Sequence, residues 1–318
     1  MAQEKKGNGL TLTVLGCGTM GIAILSGIMD SLQNPTSTED QSTLPARLPT
    51  TFNACVRSDR TSQRIKSELS AYTSSDKLTL NVRQNDNVSA CEEADVILLA
   101  CKPFYVKDVL SAPGIREAIA GKLVVSILAG VTEEAIEKIL YPALSHDDAR
   151  KQITVVRTMP NTCSKVRESM TVIATPVPAV SEEDSKLVKW MMTCIGAVAE
   201  LPAANIDAAT SLCGSGPAFV ALMIEALADG GVAMGIPRYE ANLMATQMVR
   251  GTTGLIQGGE HPAILREKVS TPGGCTIGGL LVLEEGGVRG VVSRAVREAT
   301  VVASLLGSGQ KGVNGTRR

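Results

Sequence analysis

Leu10, Thr11, Leu12, Thr13, Val14 and Leu15 form a run of strand length that stops at Gly16-Cys17-Gly18-Thr19-Met20-Gly21. Apolar positions then recur at Ile22, Leu25, Ile28 and Met29, the spacing of one helix face. The chain therefore opens as strand, glycine turn, helix. From Asp30 to Pro49, Ser, Thr, Pro and Gln dominate, which predicts a long surface insertion. Short apolar runs at 51–56, 78–82, 94–100, 123–128 and 153–157 each predict a strand. Continuous rather than alternating apolar strands, separated by helical stretches, are the pattern of a parallel sheet covered on both faces. A last strand is expected at Met170–Ala174, before Thr175-Pro176-Val177-Pro178, whose prolines break any continuing element and mark a domain boundary.

Beyond the boundary the period changes to that of helices, at 182–195, 207–212, 217–234, 239–257, 262–269, 277–283 and 287–306. The helix from Pro217 is apolar on every side, through Phe219, Val220, Leu222, Met223, Ile224 and Leu227, and such a helix must be buried. Its own domain can bury it once, and dimerisation can bury more. The tail from Gly307 to Arg318 is Gly-rich and polar, and is expected to fray.

Composition narrows the function. Of 318 residues 44% are hydrophobic, and 31 basic residues against 32 acidic ones leave a net charge of -1, the profile of a globular chain long enough for two domains. Balanced charge and 3% aromatic residues disfavour nucleic-acid binding. Eight cysteines are scattered without a Cys-x-x-Cys pair, so neither a zinc site nor a disulfide framework is expected. The polar start at Met1–Gly9 lacks the apolar core of a secretory signal, and no apolar run is expected to reach the ~18 residues of a membrane span. A reducing, cytoplasmic setting with no membrane partner is the expectation.

Gly16-x-Gly18-x-x-Gly21, directly after a strand and opening a helix, is the dinucleotide fingerprint in its required context. Its glycines let the backbone approach a pyrophosphate, and the amides of Cys17, Gly18, Thr19 and Met20 at a helix N-terminus suit the phosphates. The expected fold is therefore α/β: a Rossmann-type, mostly parallel sheet over residues 1–177 and an all-helical domain over 178–318. Where an acidic residue at the end of the second strand would favour NADH, this chain has Arg57 and Ser58, which suit a 2′-phosphate and favour NADPH, with NADH possible. The alternative is that Arg57 is a solvated loop charge and Asp59 the selector.

Two clusters in the helical half carry the substrate chemistry. Ser211-Leu212-Cys213-Gly214-Ser215-Gly216-Pro217 is a kinked junction with Pro217 in the first turn of a helix. In Ser270-Thr271-Pro272-Gly273-Gly274-Cys275-Thr276, glycines before a helix expose amides and Thr271 and Thr276 add hydroxyls, an anion cradle without a cationic side chain that fits a small carboxylate.

In these motifs the chain resembles the pyrroline-5-carboxylate reductases. The resemblance runs from the glycine loop through Ala100-Cys101-Lys102-Pro103, Arg157-Thr158-Met159-Pro160-Asn161-Thr162, Gly214-Ser215-Gly216-Pro217-Ala218 and Glu225-Ala226-Leu227-Ala228-Asp229-Gly230 to Thr271-Pro272-Gly273-Gly274. It departs in the 30–50 insertion, in Cys213 where serine is common and in Phe219 where tyrosine is common. It implies hydride transfer from the nicotinamide to the ring imine carbon of 1-pyrroline-5-carboxylate, giving L-proline. By the same match, Thr271, Gly273, Gly274, Cys275 and Thr276 hold the substrate, and the Thr276 hydroxyl reaches the ring nitrogen. Asn87, Ala100, Lys102, Pro103 and Asn161 join Gly16–Gly21, Arg57 and Ser58 around the cofactor. Lys102 and Glu225 are further catalytic candidates, and Glu225, an acid among apolar residues, is either paired or functional. No metal is implied. The resemblance also implies a homodimer or a higher homo-oligomer, with each site formed between one subunit's nucleotide domain and its neighbour's helices.

An iminium carries its own proton, which agrees with a chain whose two histidines, His146 and His261, read as structural or surface residues. Nothing beside Cys163, Cys213 or Cys275 supplies a base, which argues against nucleophilic roles. A β-hydroxyacid dehydrogenase shares the domain pattern but uses a lysine of its second domain, and no lysine occurs between Lys189 and Lys268. A catalytically silent NADPH-binding protein is the other alternative.

Overall fold

The computed structural model describes residues 9–35, 44–73 and 77–307; the polar start, the middle of the insertion and the tail beyond Gly307 lie outside the described residues. The chain divides into two compact units, Met1–Gly214 with Thr300–Arg318, and Ser215–Ala299.

The first unit is an eight-stranded sheet in the order β3-β2-β1-β4-β5-β6-β7-β8. Its strands are β1 (Leu10–Leu15), β2 (Pro49–Val56), β3 (Thr79–Gln84), β4 (Val96–Leu99), β5 (Leu123–Ser126), β6 (Thr154–Met159), β7 (Ser169–Thr175) and β8 (Gly196–Pro202). Strands β1 to β6 pair in parallel, β6 and β7 antiparallel, and β7 and β8 in parallel. Around the sheet lie α1 (Thr19–Gln33), α2 (Asp59–Glu68), α3 (Asn87–Glu92), α4 (Val106–Leu110), α5 (Ile115–Ile119), α6 (Glu133–Leu140), α7 (His146–Arg150), α8 (Glu182–Thr193) and α9 (Ile206–Ala209).

The continuous apolar strands sort themselves between two cores. Because successive side chains of a strand point to opposite faces, Leu12, Val14, Val96, Leu98, Leu123 and Val125 pack with α1 and α8 on one face. Leu15, Ile97, Leu99, Val124 and Val155 pack with the α3–α6 layer on the other. Each fully buried aliphatic side chain contributes roughly 1.5–3 kcal/mol, so both faces must be covered. One polar strip crosses the apolar centre: Asn53 Nδ2 donates to Thr13 Oγ1 at 3.3 Å and to Glu93 Oε2 at 3.1 Å, while Asn81 Nδ2 donates to Asn53 Oδ1 at 3.0 Å. Thr13 in turn donates to the Ala90 carbonyl at 2.7 Å, so β1, β2, β3 and α3 are locked in register through satisfied buried groups.

The boundary expected at residue 177 lies inside the first unit. After Pro178 the chain adds α8, whose Trp190, Met191 and Met192 are buried in the same core as β1, and then β8. Sequence reading missed β8, which begins at Gly196 with φ +142°; a side chain there would collide with the Ser169 backbone of β7. The 30–50 segment is also less irregular than expected, since its first residues complete α1.

The second unit is helical: α10 (Gly216–Ala233), α11 (Arg238–Gln257), α12 (Pro262–Val269), α13 (Cys275–Glu285) and α14 (Val288–Gly307), whose last turns group with the first unit. Helix α10 is not buried as its composition demanded. Only Ala228 is buried along it, against Ala241 and Ala245 of α11, while Val220, Leu222 and Leu227 are 48%, 59% and 50% exposed. The helical stretch Ala203–Ala233 is also long and apolar enough, by length and composition, to cross a membrane, contrary to the expectation that no run reaches that length.

Candidate functional site

The strand order turns back on itself between β1 and β4, and the crevice outside the carboxyl ends of these two strands is where an open α/β sheet accepts a ligand. Gly16 closes β1 there with φ +79°, and a Cβ on it would lie 2.6 Å from Cys101 Cα, so only glycine lets the loop lie against the segment following β4. Gly21 faces Val14 Cγ1 and Cys17 Sγ, both 3.1 Å from where its Cβ would stand, which brings α1 close onto β1. Gly18 differs, because the space a Cβ would take there is open apart from the Gly16 carbonyl oxygen at 3.9 Å. These are the three positions a pyrophosphate-binding loop needs: a tight turn, an open approach and a close helix contact. The residues present fit a dinucleotide.

Helix α1 begins at Thr19 with Gly18 as its N-cap and no side-chain cap, so the amides of Thr19, Met20 and Gly21 have no intrahelical acceptor. They are the donors available to a phosphate. Cys17 is a correction: its N–H donates to the Cys55 carbonyl at 2.9 Å, and its side chain is buried, its thiol pushed up to about 12 by desolvation. The amide of Cys17 stitches β1 to β2 and is not part of the cradle. Ala100 follows β4, its N–H bonded to the Leu15 carbonyl at 2.9 Å, and Lys102 and Pro103 follow with exposed side chains. Lys102 Nζ lies 5.7 Å from the centre of the Phe104 ring.

At the end of β2, Arg57 is exposed and its guanidinium carbon lies 4.1 Å over the Tyr105 ring. Ser58 has local work as the N-cap of α2, accepting from the Thr61 N–H at 3.4 Å. Asp59, the alternative selector, is the first residue of that helix. Asn87 opens α3 across from this edge. Sequence reading missed Arg64, whose Nη1 donates to Thr19 Oγ1 at 3.3 Å beside the glycine loop while its Nε pairs with Glu68 at 2.6 Å. Its signal was the arginine-rich composition of α2, where Ile65 is the one buried residue.

Asn161, at the end of β6, is buried and committed to the protein. Its Nδ2 donates to the Cys213 carbonyl at 3.0 Å, its Oδ1 accepts from Cys163 N–H at 2.9 Å, and its own N–H donates to Ser169 Oγ at 3.0 Å. The residue expected to touch cofactor thus fastens β6 to the junction at Thr210–Gly214, which is a turn of π-helix, a form frequent at functional sites. Burial raises the Cys213 thiol above its ordinary range, in keeping with the absence of a nucleophilic role. His146 pairs with Glu137 at 2.6 Å and His261 caps α12 by accepting from the Ala263 N–H at 3.3 Å, so both histidines hold structure.

In the second unit, Gly273 turns the chain with φ +69° and Gly274 is the N-cap of α13, which has no side-chain cap. The Gly274 N–H donates to the Thr271 carbonyl at 3.0 Å, and a Cβ on Gly274 would strike Thr271 Oγ1. Thr271 and Cys275 are exposed and Thr276 is half-buried in the first helical turn, beside amides that lack intrahelical acceptors. Glu225 is exposed on α10 in the single chain, and among the described residues no ion pair holds it.

Residues 203–306 match the family model for pyrroline-5-carboxylate reductase dimerisation, and residues 11–130 match a model described as NADP oxidoreductase, coenzyme F420-dependent. Across its length the chain is 56% identical to a pyrroline-5-carboxylate reductase of Lophium arboricola, over 98% of each chain. The chain belongs to the pyrroline-5-carboxylate reductase family. A Neurospora crassa pyrroline-5-carboxylate reductase is 55% identical over 99% of this chain and 98% of its own. Among solved structures, a pyrroline-5-carboxylate reductase from Coxiella burnetii superposes with a TM-score of 0.74 at 26% identity, covering 94% of this chain and 99% of that one. Family membership makes the chain an oxidoreductase and removes both the hydroxyacid dehydrogenase and the silent binding protein as readings. It also accounts for the exposed α10, since the stretch that carries it is the dimerisation region of this family.

Proposed function

We propose that this reductase converts 1-pyrroline-5-carboxylate to L-proline with NADPH as the preferred cofactor, the cradle before α13 holding the substrate carboxylate. The carrying observation is the uncapped N-terminus of α13 between two threonine hydroxyls and without a cationic side chain in Thr271–Gly279, which suits one small carboxylate better than a phosphate. NADPH, when bound, supplies a hydride from its nicotinamide C4 to the ring imine carbon. The Thr19, Met20 and Gly21 amides bind the pyrophosphate, and Arg57 with Ser58 accepts the 2′-phosphate. Asn87, Ala100, Lys102 and Pro103 border the nucleotide along the carboxyl edge of the sheet, and Asn161 supports that edge from behind. In the cradle before α13, Thr271, Gly273, Gly274 and Cys275 fix the carboxylate, and the Thr276 hydroxyl orients the ring nitrogen. The iminium nitrogen arrives protonated and becomes the amine when the carbon takes the hydride, so positioning rather than a strong acid sets the rate.

Thr276→Ala tests this assignment. The expected result is a turnover lowered about 10- to 100-fold with unchanged NADPH affinity, measured by NADPH consumption with DL-pyrroline-5-carboxylate. Wild-type turnover in that variant would remove Thr276 from the mechanism. Arg57→Ala should raise KM for NADPH far more than KM for NADH, and equal effects would remove Arg57 as selector. The homodimer is the minimum unit of this reading, with higher homo-oligomers built from it and neither nucleic acid nor membrane as partner. Eight free thiols support a reducing, cytoplasmic setting.

A further inference from the structure

We propose that Tyr105 is a positioning residue for cofactor selection, acting through Arg57. The inference rests on the reading of Arg57 as the 2′-phosphate contact and adds the residue that holds it in place. Arg57 leaves the sheet at the end of β2 with its backbone fastened: the Val56 carbonyl accepts from Asn85 N–H at 3.0 Å and the Arg57 carbonyl from Gln84 Nε2 at 3.4 Å. Its long side chain is exposed, and in water such a side chain samples many rotamers whose entropy is lost on binding. Tyr105 removes part of that loss beforehand. The guanidinium carbon lies 4.1 Å from the ring centre, within the range of an attractive cation–π contact.

The ring is itself held. Tyr105 closes a tight turn at Pro103–Tyr105, separated by three residues from the end of β4 at Leu99, its N–H donates to the Lys102 carbonyl at 2.8 Å, and its ring lies 4.3 Å from that of Phe104. Tyr105 is half-buried whereas Phe104 is 69% exposed, so the tyrosine is the anchored member of the pair. Stacking occupies one face of the planar guanidinium and leaves its N–H edge free for a bidentate contact with a phosphate. Among the described residues no carboxylate pairs with Arg57, so the ring orients the charge without neutralising it. The two residues come from the ends of β2 and β4, which flank β1, so the contact spans the edge of the crevice where a nucleotide would lie.

The test measures affinities of 2′,5′-ADP and 5′-AMP by isothermal titration calorimetry for the full chain and for Tyr105→Phe, Tyr105→Leu, Arg57→Ala and the Arg57→Ala/Tyr105→Leu double variant. Tyr105→Phe keeps the stacking and should bind both nucleotides as the wild type does. Tyr105→Leu should weaken 2′,5′-ADP about 3- to 10-fold, leave 5′-AMP within about twofold, and cause no further loss once Arg57 is gone. Equal weakening of both nucleotides by Tyr105→Leu, or none, overturns the role of Tyr105. If in that outcome Arg57→Ala weakens 2′,5′-ADP and spares 5′-AMP, the cofactor reading stands without Tyr105. If Arg57→Ala keeps the wild-type preference for 2′,5′-ADP, Arg57 is not the 2′-phosphate contact and both readings fall.

Discussion

Gly16 and Gly18 stand two residues apart and make opposite demands on the chain. At Gly16 a methyl group would need φ +79° and would meet Cys101 Cα at 2.6 Å, so Gly16→Ala strains the backbone and separates two strands at once. That variant should lose about 2–5 kcal/mol of stability by chemical denaturation, whether or not nucleotide is present. At Gly18 the backbone has φ -90° and a methyl group would enter open space. Gly18→Ala should therefore unfold like the wild type and yet bind NADPH at least about tenfold more weakly, because the methyl group stands where the pyrophosphate approaches. A Gly18→Ala protein with wild-type affinity would show that the loop does not hold the nucleotide. The cysteines sort by the same kind of reading. Cys17 and Cys91 are buried with thiols pushed up to about 12, and Cys55 is raised further by burial beside them, whereas Cys275 is exposed at the start of α13. Brief alkylation of the native protein, read by peptide mass spectrometry, should label Cys275 and leave Cys17, Cys55 and Cys91 unmodified.

Between elements, the junction of α6 and α7 holds a buried carboxylate outside the catalytic argument. Glu137 is 3% exposed and pairs with His146 at 2.6 Å and with Arg150 at 3.7 Å, but desolvation outweighs these partners and raises its pKa above the ordinary 4.5. The folded protein therefore holds the Glu137 proton more tightly than the unfolded chain does. Its contribution to stability is largest at low pH and declines as pH rises from about 4.5 through the raised native value. Glu137→Gln resembles the protonated form, so its melting temperature should gain on the wild type as pH rises across that window; a constant difference would show that the ionised pair carries no net cost. The elements that were legible in the sequence are those whose own composition decides them. Strands β4 and β5 are apolar on both faces because both faces are covered, and α1 follows its glycine loop as the pattern requires. Strand β8 was not legible: Gly-Ala-Val-Ala-Glu-Leu-Pro lacks β-branched enrichment, and only its pairing with β7 makes it a strand. The domain boundary at 177 failed for the same reason, since proline marks a turn but does not reveal that the sheet resumes afterwards. At the site, the glycine loop and the Pro-Gly-Gly cradle were readable because glycine has few other reasons to cluster. The internal commitments of Cys17 N–H and Asn161, and the stacking of Tyr105 on Arg57, arise from contacts between residues distant in sequence and left no local trace.

For the whole molecule, the apolar surface of the second unit is the feature a single chain leaves unexplained. Helix α10 has few polar positions to turn toward water, and its exposed aliphatic side chains recur on α11 and α13, where Leu243 is 60% and Leu281 57% exposed. Isolated exposed leucines are ordinary, but large apolar side chains exposed on helix after helix mark an interaction surface. The residues concerned lie within 203–306, the stretch matched by the family's dimerisation model. The same composition lets Ala203–Ala233 pass for a membrane span, yet the π-turn at Thr210–Gly214 interrupts that stretch, and Asp229 on it is paired with Arg238 at 2.5 Å. A second copy covers such a surface while leaving the charged positions at its rim in water, as subunit interfaces do. Replacing Leu222 and Leu227 together by Asp puts two charges where the partner must be desolvated, and one unpaired buried charge alone costs several kcal/mol. The expected outcome by analytical ultracentrifugation is a shift from dimer or larger assembly to monomer at micromolar concentration. The wild-type melting temperature should rise with protein concentration and that of the variant should not, because only an associated native state gains from mass action. An unchanged sedimentation profile in the double variant would mean that α10 is covered by something other than a second copy of this chain.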